Sequence, residues 1–185
     1  MATTPLDKSL ALDKIIAARR RLTELLALGD RFSALPQERR QLTEEFLFHT
    51  VGAIEMVAQL VNQGRALGKS SEMVSPSSVA KALPATDPIA LILACLYANP
   101  RRDPMPHDPY SRAGYVWRLW NYRHQVNHRG RNPFLFRDGS IPGVSLMLDP
   151  RDPHAGHSTK SVQQELREML ELVETQCNAI LAYLP

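Results

Sequence analysis

Residues 161–184 read SVQQELREMLELVETQCNAILAYL, and the apolar side chains within them fall at Val162, Leu166, Met169, Val173, Cys177, Ile180 and Leu184. Steps of four and three repeated over six turns are the stripe of an α-helix lying along another helix; a strand would need a period of two. A stripe of this length has to be covered by other helices, so the fold class turns on whether the rest of the chain supplies them. Working upstream, it does. Residues 111–128 form a second amphipathic segment that stops near Gly130, with Asn132 and Pro133 marking the exit. Residues 88–98 make a short apolar helix behind Pro88. Pro36 opens a long helix whose apolar face runs through Leu42, Phe46, Thr50, Ala53, Val57, Leu60 and Val61 to a stop at Gly64–Gly68. At about 1.5 Å per residue it is roughly 45 Å long. Residues 8–28 form the first helix, with apolar positions at Leu12, Ile15, Ile16, Leu22, Leu25 and Leu26.

The expectation is an all-α bundle of about five helices, built on a long N-terminal antiparallel hairpin and forming one domain over 1–185. Loops fall at 68–88, with a single turn around Val79–Leu83, and at 99–110, where Pro100, Pro104, Pro106 and Pro109 oppose regular structure. An irregular insertion covers 130–158. Within it, Phe134–Phe136 and Val144–Leu148 flank Asp138-Gly139, the pattern of a small β-hairpin near 134–148.

Composition bounds function. The 185 residues are 44% apolar and 22% charged, which excludes disordered, collagenous and disulfide-scaffold classes. No apolar run approaches the roughly 20 residues of a membrane span, and the N-terminus carries no basic-then-apolar leader, so the expected location is cytoplasmic with no membrane partner. Cys95 and Cys177 lack metal or redox spacing. Phosphate-binding loops, dinucleotide glycine fingerprints and nucleophile elbows are all missing. Net charge is only +3, but 17 of the 22 cations are Arg, the side chain that grips phosphate bidentately. Six of them, Arg112, Arg118, Arg123, Arg129, Arg131 and Arg137, share a stretch free of Asp and Glu with Tyr115, Trp117, Trp120 and Tyr122, a pattern that points to a nucleic-acid partner.

The helix over 111–128 is the densest in functional side chains. Val116, Trp120, Arg123 and Asn127 share one face, and Trp117, His124 and His128 an adjacent one. Arg123-His124-Gln125-Val126-Asn127-His128 resembles the signature of the HEPN superfamily, an Arg followed by a polar residue and, four to six residues on, a His. The likeness of architecture extends over most of the chain, and the motif covers six residues. Arg102/His107, Arg118/His124 and Arg151/His157 have similar spacing, but the first and third are interrupted by Pro or Gly, and Leu119 follows Arg118.

The resemblance implies a metal-independent, cofactor-free endoribonuclease, of the kind that serves as toxin or phage-defence effector. In such an enzyme the ribose 2′-hydroxyl attacks the adjacent phosphate. His128 is the implied general base or acid and Arg123 the implied stabiliser of phosphoryl charge. His124 and Asn127 would orient the motif or bind phosphate, and Arg129 would add attraction for RNA. Arg123 and His128 are five residues apart, about 140° on a regular helix, so a homodimer with facing motifs is expected, together with a neutralising antitoxin protein. The alternative is a non-catalytic HEPN-like module that binds nucleotide, nucleic acid or a protein.

Blander roles stand beside these. Arg123 and His128 serve a helix C-terminus as cations. His124 and His128 have i, i+4 metal spacing but lack the Glu of HExxH, and His154/His157 lie in a Pro/Gly loop. Trp117 and Trp120 suit a core, and Arg19–Arg21 a solvated face. His49 and Glu55 are expected as a partly buried pair, or with one of them facing the motif helix.

Overall fold

The computed structural model describes residues 7–28, 36–129, 134–137 and 143–185. It is an all-α bundle. Six helices occur among the described residues: α1 (Ser9–Ala27), α2 (Pro36–Gly64), α3 (Pro76–Ala80), α4 (Pro88–Cys95), α5 (Arg112–Arg129) and α6 (Val162–Tyr183). Two short strands, β1 (Phe134–Arg137) and β2 (Gly143–Leu146), pair antiparallel with Phe134 opposite Leu146 and Arg137 opposite Gly143. This ladder adds no sheet layer to the bundle, and residues 138–142 between the strands lie outside the described residues.

α2 is the central helix because it is apolar on two sides. The stripe from Leu42 to Val61 is buried, and so is a second row, Leu47, Val51, Ile54 and Ala58. The first helix pairs antiparallel with it: Lys14 lies over the Phe48 ring at 4.6 Å and Arg21 Nε is 3.1 Å from Glu45 Oε2, so α2 numbers fall as α1 numbers rise. α6 runs antiparallel to α1, with Lys8 donating to the Leu181 and Leu184 carbonyls and Arg19 bonded to Glu174. Its stripe is buried from Val162 to Leu184.

Two expectations are corrected. Leu12 and Ile16 are exposed, and the buried stripe of α1 is Ala11, Ile15, Ala18, Leu22 and Leu25. Two alanines on the inner face let the larger α2 side chains fill the space between the axes. The 68–88 segment holds more than one turn: a 3₁₀ turn at Ser71–Met73, then α3, which starts at Pro76 rather than Val79. Its start is set by a capping box in which the Ser75 and Ser78 side chains accept from each other's backbone N–H. α4 and α6 have comparable starts, Asp87 accepting from Ile89 N at 2.8 Å and Ser161 from Gln164 N at 3.2 Å.

The first half of α5 is buried on nearly every side, with Trp117 and Leu119 each 1% exposed. Loop 99–110 folds over its start so closely that a Cβ on Gly114 would sit 2.5 Å from the Asp108 carbonyl, a clearance only glycine gives. The indoles tie down the same loop and the end of α4 before it: Trp117 Nε1 donates to the Asp103 carbonyl and Trp120 Nε1 to that of Leu96, each at 3.0 Å. On the other side, segment 146–158 closes by a Met147–His157 bridge and docks through Tyr122, whose hydroxyl donates to the Met147 carbonyl at 2.8 Å. The bundle thus clamps α5 by its N-terminal turns.

Candidate functional site

Beneath the site, Arg118 is completely buried and ion-paired with the equally buried Glu165 of α6. Its guanidinium carbon lies 5.1 Å from the Tyr115 ring and 5.5 Å from that of Tyr110. Burial opposes its charge, but Tyr122 and Glu165 more than offset this and hold its pKa above the ordinary value. Burial pushes the Tyr122 hydroxyl up as well. Arg118 cannot reach a phosphate, which removes Arg118/His124 as a competing motif.

The next turn emerges from the core and sends consecutive side chains in different directions. Arg123 turns toward α2, where its Nη2 lies 3.5 Å from Glu55 Oε1. Its Nε is buried and has no hydrogen-bond partner. A contact of that length between half-exposed groups is a loose ion pair, in a class contributing about 0–1 kcal/mol, so exchanging the carboxylate for a phosphate oxygen costs little. Glu55 therefore faces the motif helix and does not pair with His49. The His49 imidazole is acted on by Lys14, Arg21 and Glu45, and burial first, then the two cations, lower its pKa.

His124 turns the other way. Arg101 donates to its Nε2 through Nε at 3.2 Å and Nη2 at 3.1 Å. Because a guanidinium can only donate, Nε2 is the acceptor in this contact. Asn127, His128 and Arg129 belong to the α5 backbone, and the roles expected of their side chains lie outside the described residues. The helix is continuous through both motif positions, which leaves the Arg123 and His128 backbone positions about 140° apart.

Beside His124 is a cavity of about 220 Å³ lined by Pro100, Arg101, Asn121, His124, Gln125 and Arg151. Sequence reasoning missed most of this set, since Arg101 and Arg151 lie in Pro-interrupted stretches fifty residues apart. Asp149 brings them together. Arg151 donates to both of its oxygens, Asn121 Nδ2 donates to Oδ1 at 2.8 Å, and Arg151 also bonds the Pro100 carbonyl while stacking 4.9 Å from the Trp117 ring. Burial raises the Asp149 pKa, but the bonds from Arg151 and Asn121 outweigh it and keep the carboxyl below its usual range.

Among the described residues no group of three His, Cys, Asp or Glu side chains is placed to hold a metal, and no helix is long and apolar enough to cross a membrane. His154 and His157 are exposed. Cys177 is buried, its thiol pushed up to about 12 mainly by that burial, and Cys95 is exposed.

Comparison of the chain with family models, with curated proteins and with solved structures gives no match.

Proposed function

We propose that the chain is a HEPN-like, metal-independent endoribonuclease whose cleavage site is centred on Arg123 and His128. The observation that carries this reading is the state of Arg123: a guanidinium at the edge of the core, on a helix fixed by its buried half, held by one loose contact to Glu55. A preorganised cation of this kind stabilises the charge that develops on phosphoryl oxygens. In the proposed step the 2′-oxygen bonds to phosphorus and the 5′-oxygen leaves. His128 takes the 2′-proton, and a second group protonates the leaving oxygen, giving a cyclic phosphate and a 5′-hydroxyl. The 140° between motif positions supports a homodimer, in which the His128 of a second copy completes the site. RNA is the proposed partner and substrate, and a neutralising antitoxin protein fits a toxin or defence role.

A second reading has its own support. Arg123 and His124 both have partners already, Glu55 and Arg101, as in a helical module that binds nucleotide, RNA or a protein without cutting. Inducible expression separates the two: growth arrest by the wild-type chain, relieved by His128→Ala at equal protein level, is the outcome of the ribonuclease reading, and arrest that survives the substitution contradicts it.

A further inference from the structure

We propose that the cleft between α5, loop 99–103 and Arg151 is a binding subsite for a phosphate group carried next to a hydroxyl, as on a nucleotide or an RNA end, and that it is distinct from the Arg123 face. Its walls come from three segments. Asn121, His124 and Gln125 share a face of α5 through steps of three and four. Arg101 closes one side and Arg151 the other, and among the described residues no carboxylate lines the cavity. Of the nearby acids, Asp149 is engaged by Arg151 and Asn121, and Asp103 accepts from the Asn99 backbone N–H of its own loop, so Arg101 carries the positive charge that an anion would meet. Arg101 directs its Nε and one Nη2 N–H to His124, which leaves the end-on pair of Nη1 and Nη2 N–H groups to meet an anion.

Size restricts the ligand. A volume of about 220 Å³ falls below the ~300–1,000 Å³ of sites that enclose a drug-sized molecule, so a phosphate and the atoms attached to it fit while a base stays outside. Polarity restricts it further. The Asp149 carboxylate only accepts, so Asn121 must turn its NH₂ toward it. The Asn121 oxygen then faces Gln125 Nε2 at 3.4 Å. That orients the Gln125 amide and leaves its Oε1, on a side chain 1% exposed, as a buried acceptor without a donor. An acceptor-only anion satisfies the arginines but not this oxygen, whereas a hydroxyl beside the phosphate supplies the donor.

Binding in this cleft is independent of cleavage at Arg123. Its test is calorimetric titration of the full chain with ribose 5-phosphate and with ribose, followed in parallel by tryptophan emission, since Arg151 rests on Trp117. Ribose 5-phosphate is expected to bind and shift the emission, ribose to do neither, and Arg101→Ala, at an exposed position, to weaken binding about tenfold or more, with Arg101→Lys in between. Titration with a 5′-phosphorylated RNA trinucleotide and its 5′-hydroxyl counterpart then separates the sources. Tighter binding of the phosphorylated RNA than of ribose 5-phosphate assigns an RNA end, and weaker binding assigns a free nucleotide; either agrees with the proposal. Folded wild-type protein that ignores millimolar ribose 5-phosphate, equal binding of ribose, or unchanged affinity in Arg101→Ala overturns it. Ribose 5-phosphate has no internucleotide bond, so this outcome is independent of whether RNA is cut.

Discussion

Glu165→Gln removes one charge from an ion pair that has no access to water. Arg118 and Glu165 are both 0% exposed, and Arg118 Nε and Nη2 have no hydrogen-bond partner among the described residues, the ion pair being made through Nη1. The Gln amide oxygen can still accept a hydrogen bond, but the guanidinium is left with neutral partners among the described residues: that amide, the Tyr122 hydroxyl at 3.3 Å and the faces of Tyr110 and Tyr115. Loss of one partner from a buried pair costs about 3–5 kcal/mol, which at about 2–4 °C per kcal/mol for a chain of this size lowers the melting temperature by roughly 6–20 °C. The double variant Arg118→Met/Glu165→Leu removes both charges and leaves apolar groups of similar bulk, so it is expected to recover most or all of that loss. Guanidinium denaturation of the wild type, Arg118→Met, Glu165→Leu and the double variant measures the cycle, with Glu165→Gln run beside them and unchanged m-values showing that the compactness of the two states is preserved. A single-variant cost under about 1 kcal/mol, or a double variant worse than either single, would refute the placement of this pair in a dry core and reopen Arg118 as a ligand-facing cation.

Other predictions concern smaller features. The Glu168 carboxylate is opposed by burial but bonded by Lys160, Tyr115 and Gln164, and its pKa falls to about 2. Its stabilising contribution is therefore complete above the unfolded value near 4.5 and is lost as pH falls through about 2, so Glu168→Gln should flatten the stability–pH curve across that window and change nothing in its slope above pH 6. Gly114→Ala puts a methyl group 2.5 Å from the Asp108 carbonyl and is expected to cost about 1–3 kcal/mol by overpacking, read by thermal denaturation. Glu55→Gln releases Arg123 from its carboxylate contact; RNA binding measured by fluorescence anisotropy should tighten several-fold, and weaker binding would mean that Glu55 positions the arginine instead of competing for it.

Much of the bundle is legible in the sequence because its helices carry unambiguous stripes. The Val162–Leu184 pattern and the Leu42–Val61 pattern name the residues that are buried. α1 is harder: alanine is apolar enough to be inside and small enough to be ignored, so Leu12 and Ile16 draw attention from Ala11 and Ala18, which are completely buried. α3 was signalled by Ser75-Pro76 and Ser78, a capping box obscured by the surrounding prolines. Of the candidate site, the helix and the position of Arg123 on it follow from periodicity, and Glu55 was within view as a residue turned toward that helix. The cleft was not legible. Arg101 and Arg151 meet only because Asp149, anchored by Asn121 from α5, draws the 149–151 turn against Pro100, and closure of two irregular segments leaves no trace in local spacing.

The most direct test of the account is cleavage of a labelled RNA pool by the purified chain in EDTA, with Arg123→Ala and His128→Ala run alongside. Cleavage by the wild type alone, leaving cyclic phosphate and 5′-hydroxyl ends, is the predicted result. Intact RNA with folded wild-type protein, or cleavage that persists in both variants, would contradict the assignment of α5 as a ribonuclease helix.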